Sequence, residues 1–205
     1  MAKKVKIDQS TEERILDAAR KVFISKGMSG ARMQDIADEA GINKALLHYY
    51  FRSKEKLFET IFKEIMQQVL PVMSAIIESD KPLFEKIKLF CNEYIENIKK
   101  APFIPIFILS EVNKQPEAFV KKMWGGKKPP VQLFFQQVEK EIKQGIIKPI
   151  HPAQLMMDLI SMCIFPFAAR PMFQLVGGIN PKLFDELIEQ RKKHIPEFII
   201  ASIKN

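Results

Sequence analysis

Residues 43–51, NKALLHYYF, run directly into Arg52, Ser53 and Lys54, and so place an imidazole, two phenols, a carboxamide and three cations in one short stretch. Lysine and arginine donate to anionic or carbonyl acceptors, while tyrosine and histidine combine a flat ring with a hydrogen-bonding tip. That is equipment for holding a polar surface without breaking bonds. The groups needed for covalent work do not accompany it. The three histidines, His48, His151 and His194, lie in separate segments. None has a second ligand at metal-binding spacing, and no Ser or Cys nucleophile motif or Gly-rich phosphate loop is visible. Neither an enzyme nor a metal or other cofactor is expected.

The chain that must position these groups has 205 residues, of which 47% are hydrophobic and 27% charged, a globular composition with room for one substantial core or two small domains. Its net charge of +8 suits an acidic partner, and the location of that charge must decide which. Residues 1–56 hold twelve Lys and Arg against eight Asp and Glu, a net +4, with Lys44, Arg52 and Lys54 close together. Cys91 and Cys163 sit in apolar helical contexts without ligand spacing and read as buried thiols of a reducing compartment. The basic start MAKKVKIDQS has no apolar run behind it, and the longest apolar runs fall short of the roughly 20 residues that cross a bilayer. A soluble, cytoplasmic protein without a membrane partner is expected.

Apolar residues recur at helical spacing throughout and no segment alternates with period two, which predicts an all-α fold. Ile15, Ala19, Val22 and Phe23 mark a first helix, with Ser10 and Glu13 spaced as a capping box and Gly27 as its stop. Ile36, Ala37 and Ala40 mark a second that ends at Gly41, and residues 43–51 a third. Ser53 caps a fourth that ends near Pro71. Further helices are expected at about 82–100, 103–114, 116–124, 130–144, 152–169 and 181–203, with prolines and glycines at the breaks, including GGKKPP.

In MQDIADEAGINKALLHYYF, the residues Ile36, Ala37, Ala40, Gly41, Ile42 and Leu47 fall where a helix-turn-helix needs them. Ala37 must be small where two helices pack closely, and Gly41 supplies a positive φ for the turn. An ordinary αα-hairpin also favours glycine in its turn, so this spacing alone admits both a DNA-reading and a purely structural pair. The flanks add to it. TEERILDAARKVFISKG and MQDIADEAGINKALLHYYFRSKEKLFETIF, within residues 11–62, together resemble the N-terminal DNA-binding domain of the TetR family of transcriptional regulators. The shared elements are the first helix, the turn, an aromatic-rich recognition helix ending at Phe51 and the SKEKLF that opens helix 4.

The resemblance implies that Asn43 caps the recognition helix, whose N-terminus attracts phosphate. It places Lys44, Ala45 and Leu46 on the exposed first turn that reaches base edges, Lys44 as a donor to guanine and the other two as apolar contacts. Tyr49 matches an aromatic that packs or hydrogen-bonds against the DNA backbone, and Lys54 matches a lysine that grips a phosphate. Gln34, early in helix 2, is a further base or phosphate contact. His48 stands where the family usually has tyrosine, and Tyr50 where histidine is common. His48 is either a DNA contact or a solvated or capping histidine, and its place on the recognition helix puts it among the contacts. Arg32 replaces a threonine that often caps helix 2, which leaves that cap to another residue or missing while its guanidinium can reach a phosphate.

The remainder of the chain is rich in Phe and Met, 16 and 10 residues in the whole protein. Phe103, Phe107, Trp124, Phe134 and Met157 are candidate walls of a pocket for a hydrophobic or aromatic effector, and an ordinary core is the plainer reading of each. Two domains are therefore expected: residues 1–52, a three-helix helix-turn-helix domain that binds double-stranded DNA, and residues 53–205, a larger helical domain for effector binding and dimerisation. A single recognition helix buries too little to hold DNA tightly, so a homodimer on a near-palindromic operator is expected. Its interface is placed on the last two long helices through Leu155, Leu159, Phe184, Leu187, Ile188, Ile195 and Ile199. The resulting expectation is a ligand-released transcriptional repressor. The alternative is a helix-turn-helix protein without an effector, acting as an activator or a protein-interaction module.

Overall fold

The computed structural model describes residues 9–125 and 129–205. The basic residues Lys3, Lys4 and Lys6 and part of the GGKKPP break lie outside them. The described residues form α1 (Gln9–Gly30), α2 (Met33–Glu39), α3 (Lys44–Tyr50), α4 (Lys54–Glu78), α5 (Leu83–Lys100) and α6 (Ile104–Lys114). These are followed by α7 (Pro116–Met123), α8 (Val131–Lys143), α9 (Pro152–Ala168), α10 (Arg170–Leu175) and α11 (Pro181–Ile203). Among the described residues there is no β-strand beyond a single antiparallel bridge between Ile147 and Lys204, so the expected all-α class holds.

The chain divides into two compact units, Met1–Gln67 and Gln68–Asn205, and the division falls inside α4. The first unit takes in the opening turns of α4 because Leu57, Phe58 and Ile61 are fully buried there. Ile15, Ala19, Val22 and Phe23 of α1 supply the other main wall of this core, with Ile36, Ala37 and Leu47 of α2 and α3. Phe23 and Phe58 meet edge to face with ring centroids 5.1 Å apart. Arg20 of α1 pairs with Glu64 of α4 across this unit.

The second unit is built on α5, α8, α9 and α11. Leu83, Ile87, Cys91 and Ile95 of α5 pack with Phe134 and Val138 of α8, Leu155, Leu159 and Cys163 of α9, and Phe184, Ile188, Ile195 and Ile199 of α11. Both cysteines are free thiols in that core. Two buried polar groups hold the corner between α4 and α5. Lys86 Nζ donates to the Ile77 carbonyl at 2.7 Å, and the Glu141 carboxylate accepts the Leu83 N–H at 3.2 Å. Burial pushes the Lys86 ammonium below its ordinary value.

Four expectations need correction. α1 already includes Gln9, so Ser10 lies within the helix and not ahead of it. α4 passes through Pro71 and continues to Glu78, because a proline removes one hydrogen bond from the ladder while Met73 beyond it is buried and Ile77 packs on the second core. α10 was not anticipated; six residues are too few for a periodic pattern to emerge. Finally, six of the seven residues assigned to a dimer interface, Leu155, Leu159, Phe184, Ile188, Ile195 and Ile199, are buried inside their own subunit, and only Leu187 is exposed. α9 and α11 are apolar on more than one face, and helical spacing alone does not say which face turns inward.

Replacing a fully buried phenylalanine with alanine removes its transfer free energy and leaves a cavity. Phe58→Ala is expected to lower stability by about 3–5 kcal/mol, read from urea unfolding of the full chain.

Candidate nucleic-acid interface

The turn between α2 and α3 is set by Gly41, whose φ of +63° an L side chain rarely adopts. Ala40 N–H donates to Ile36 O at 2.9 Å and Ile42 N–H reaches back to Ala37 O at 3.0 Å, so α2 ends and the chain reverses within a few residues. Ala37 has no exposed surface. α3 then starts at Asn43, whose Oδ1 accepts the Leu46 N–H at 2.8 Å as the expected N-cap.

Leu47 and Phe51, four residues apart, are buried and fasten α3 to the first core. That orientation exposes Lys44, Ala45, His48 and Tyr49 and leaves Leu46 and Tyr50 half-buried. The Tyr49 and Tyr50 rings meet edge to face at 5.7 Å. Lys44 has no ion-pair partner among the described residues. His48 Nδ1 lies 3.2 Å from the Arg52 carbonyl oxygen. A carbonyl can only accept, so Nδ1 carries the proton of that bond.

Around α3 the other named residues are engaged in ways the sequence did not signal. Lys54 Nζ donates to the Ala31 carbonyl at 3.1 Å and so straps the first turn of α4 to the start of α2, keeping two further N–H donors. Gln34 Nε2 donates to Asp38 at 2.8 Å, which commits its amide nitrogen to α2 itself. Arg32 is exposed and forms the N-cap of α2, but a guanidinium has no acceptor to offer the helix. Asp35 replaces it: its carboxylate accepts the Arg32 N–H at 3.1 Å and pairs with Lys26 at 3.0 Å. The Lys26 ammonium, with the Arg32 N–H, holds the Asp35 carboxyl below its ordinary value. An acid three residues after a cap position is a legible signal, and Asp35 was the residue to notice. Ser53 caps α4 as expected, its Oγ accepting the Lys56 N–H at 3.3 Å.

The candidate pocket residues fall on different elements of the second unit. Phe134 is part of the second core and Phe103 is buried ahead of α6. Phe107 meets Phe119 of α7 edge to face at 6.1 Å, and Trp124 lies half-buried just past α7. Met157 stands exposed on α9, while its neighbour Met156 packs against the core. Among the described residues no three His, Cys, Asp or Glu side chains gather as metal ligands, and no helix is long and apolar enough to cross a membrane.

A short helix fastened by two inward anchors, reached through a glycine turn and presenting cations and rings, has the arrangement of a helix-turn-helix. Residues 15–61 match the family model described as bacterial regulatory proteins, tetR family. The HTH-type transcriptional regulator RutR of Escherichia coli K12 is 26% identical over 191 residues, covering 93% of this chain and 89% of RutR. The HTH-type transcriptional repressor NicS of Pseudomonas putida is 44% identical over 91 residues, 42% of this chain and 43% of NicS. Among solved structures, AibR in complex with isovaleryl coenzyme A and operator DNA aligns with a TM-score of 0.60 at 18% identity, over 77% of this chain and 86% of AibR. The match over residues 15–61 and these likenesses support a TetR-family transcriptional regulator.

Because α3 is short, its cap matters to the whole presenting surface. Asn43→Ala is expected to cost about 1 kcal/mol of stability, with Asn43→Ser close to wild type, as measured by thermal unfolding.

Proposed function

We propose that the protein is a dimeric repressor that reads a near-palindromic operator with α3 and releases it when a hydrophobic small molecule binds the second unit. The observation that carries the DNA-reading part is the exposed face of α3, where Lys44 and His48, one turn apart, lie between Asn43 and Tyr49. Lys44 donates to guanine O6 or N7, and Ala45 and Leu46 make apolar contacts. Tyr49, Lys54, Arg32 and Gln34 serve the phosphates around them. NicS, named as a repressor, supports the sign of regulation over the 42% of the chain that it matches. AibR supports the joint presence of an effector and an operator on this fold.

The dimer face follows from what α9, α10 and α11 leave uncovered. Met157, Ser161 and Phe165 are exposed at intervals of four on α9, and Leu183, Leu187, His194 and Phe198 form a stripe along α11. Leu175 and Val176 at the end of α10 are 85% and 84% exposed. Large contiguous apolar patches on a soluble protein mark contact surfaces, and a second copy of the chain is the partner that a two-fold operator requires. The effector site draws on Phe103, Phe107, Trp124 and Phe134, with Met157 assigned instead to the dimer face. An effector with equal affinity for the DNA-bound and released forms shifts nothing, so it must favour the released form.

Competition binding with selected genomic duplexes and scrambled controls tests the central reading. A preference above about 10³ for one near-palindrome supports it, and equal binding to both defeats it. Lys54→Ala is expected to weaken binding to all sequences alike and to lower the slope of log affinity against log salt by about one, with Lys54→Arg keeping the slope. The pair Leu187→Glu and Phe198→Glu is expected to give a folded monomer by light scattering at micromolar concentration, with loss of operator binding. A dimer that survives both charges refutes the assigned face.

A further inference from the structure

We infer that His48 reads the exocyclic amino group of a base, adenine N6 or cytosine N4, within one or two base pairs of the contact made by Lys44. This rests on the proposed DNA-reading role of α3 and adds which chemical group is read.

His48 is exposed, and its Nδ1 is committed to the Arg52 carbonyl at 3.2 Å. Arg52 lies just past the buried end of α3, where Phe51 N–H donates to Leu47 O at 2.8 Å, so the carbonyl that holds the ring belongs to an anchored segment. A carbonyl accepts only, which assigns the proton to Nδ1. The second nitrogen of a neutral imidazole is then a bare acceptor, and it points away from the atom that holds the first. Among the described residues no hydrogen bond occupies Nε2. In its neutral form the side chain therefore offers the groove an acceptor and no donor.

Lys44, four residues earlier on the same face, offers donors and no acceptor, and the methyl and isobutyl groups of Ala45 and Leu46 offer neither. One helical turn rises about 5.4 Å and successive base pairs about 3.4 Å, so contacts from these two residues fall one or two base pairs apart. In the major groove guanine presents only acceptors, while adenine N6 and cytosine N4 present the donors. The face thus carries a donor followed by an acceptor, and its complement is an acceptor-bearing base followed by an amino-bearing one. A tyrosine hydroxyl, which both donates and accepts, would not discriminate in this way.

The full chain is used to select duplexes from a random pool, in parallel with Lys44→Ala, His48→Phe and His48→Lys. His48→Phe is expected to relax preference at one base pair per half-site, within two steps of the pair relaxed by Lys44→Ala. His48→Lys is expected to move that preference to guanine. The amino group at that pair is then deleted, with purine in place of adenine or pyrimidin-2-one in place of cytosine. Wild type should lose about tenfold in affinity and His48→Phe nothing further. Equal losses in both proteins, or an unchanged consensus for His48→Phe with an unaltered melting temperature, overturn the inference. A wild-type protein that selects no sequence at all overturns the DNA-reading assignment beneath it, and is distinguished by failing before any variant is compared.

Discussion

A seven-residue helix does not hold itself together in water. Nucleation is unfavourable, and isolated helices shorter than about 12–15 residues are marginal. α3 has seven residues, so everything it presents depends on the burial of Leu47 and Phe51 in the first core. The dependence runs in both directions. Those two side chains, four apart, fix the rotation of α3, and the rotation decides that Lys44 and His48 face outward while Tyr50 stays half-covered. Ala37, with no exposed surface, lets α2 and α3 approach, and Gly41 lets the chain reverse between them. A larger residue at Ala37 would change the direction of the recognition face, not merely its stability.

The same unit answers the polar demands of short helices one at a time. Each helix start leaves N–H groups without intrahelical partners, and each uncapped start typically costs about 1 kcal/mol. Asn43 serves α3, Ser53 serves α4, and Asp35 turns back to the Arg32 N–H at the start of α2. Lys54 meets the Ala31 carbonyl just ahead of that start. Several residues that face the proposed DNA surface are therefore also members of the scaffold. Function and rigidity share side chains here because a domain of this size has few to spare.

What was legible in the sequence follows from the range of the signals. The helix-turn-helix was legible because its constraints are local: a small residue, a glycine, and anchors at intervals of four. Asn43 and Ser53 were legible as caps for the same reason. The bond from Lys54 to Ala31 spans 23 residues and leaves no local trace. α9 shows the opposite failure. Leu155, Leu159 and Cys163 turn inward while Met157, Ser161 and Phe165 turn outward, and with apolar residues on both stripes periodicity identifies a helix but not its buried side. Pro71 read as a terminus because proline usually ends helices, yet burial on either side of it outweighs one lost hydrogen bond.

That lost bond has a place in how α4 can respond. Proline has no N–H, so the Gln67 carbonyl lacks its usual donor at residue 71, and the boundary between the two compact units falls at the same residue, between Gln67 and Gln68. Bending is least costly where a rung is missing. The C-terminal end of the helix is the stiffer part, because Lys86 holds the Ile77 carbonyl and Glu141 holds the first N–H of α5, both from buried side chains. Breaking either would strand a buried polar group at a cost of roughly 1–3 kcal/mol, more for a charged one. Strain carried along α4 therefore leaves the corner between α4 and α5 intact and concentrates near Pro71.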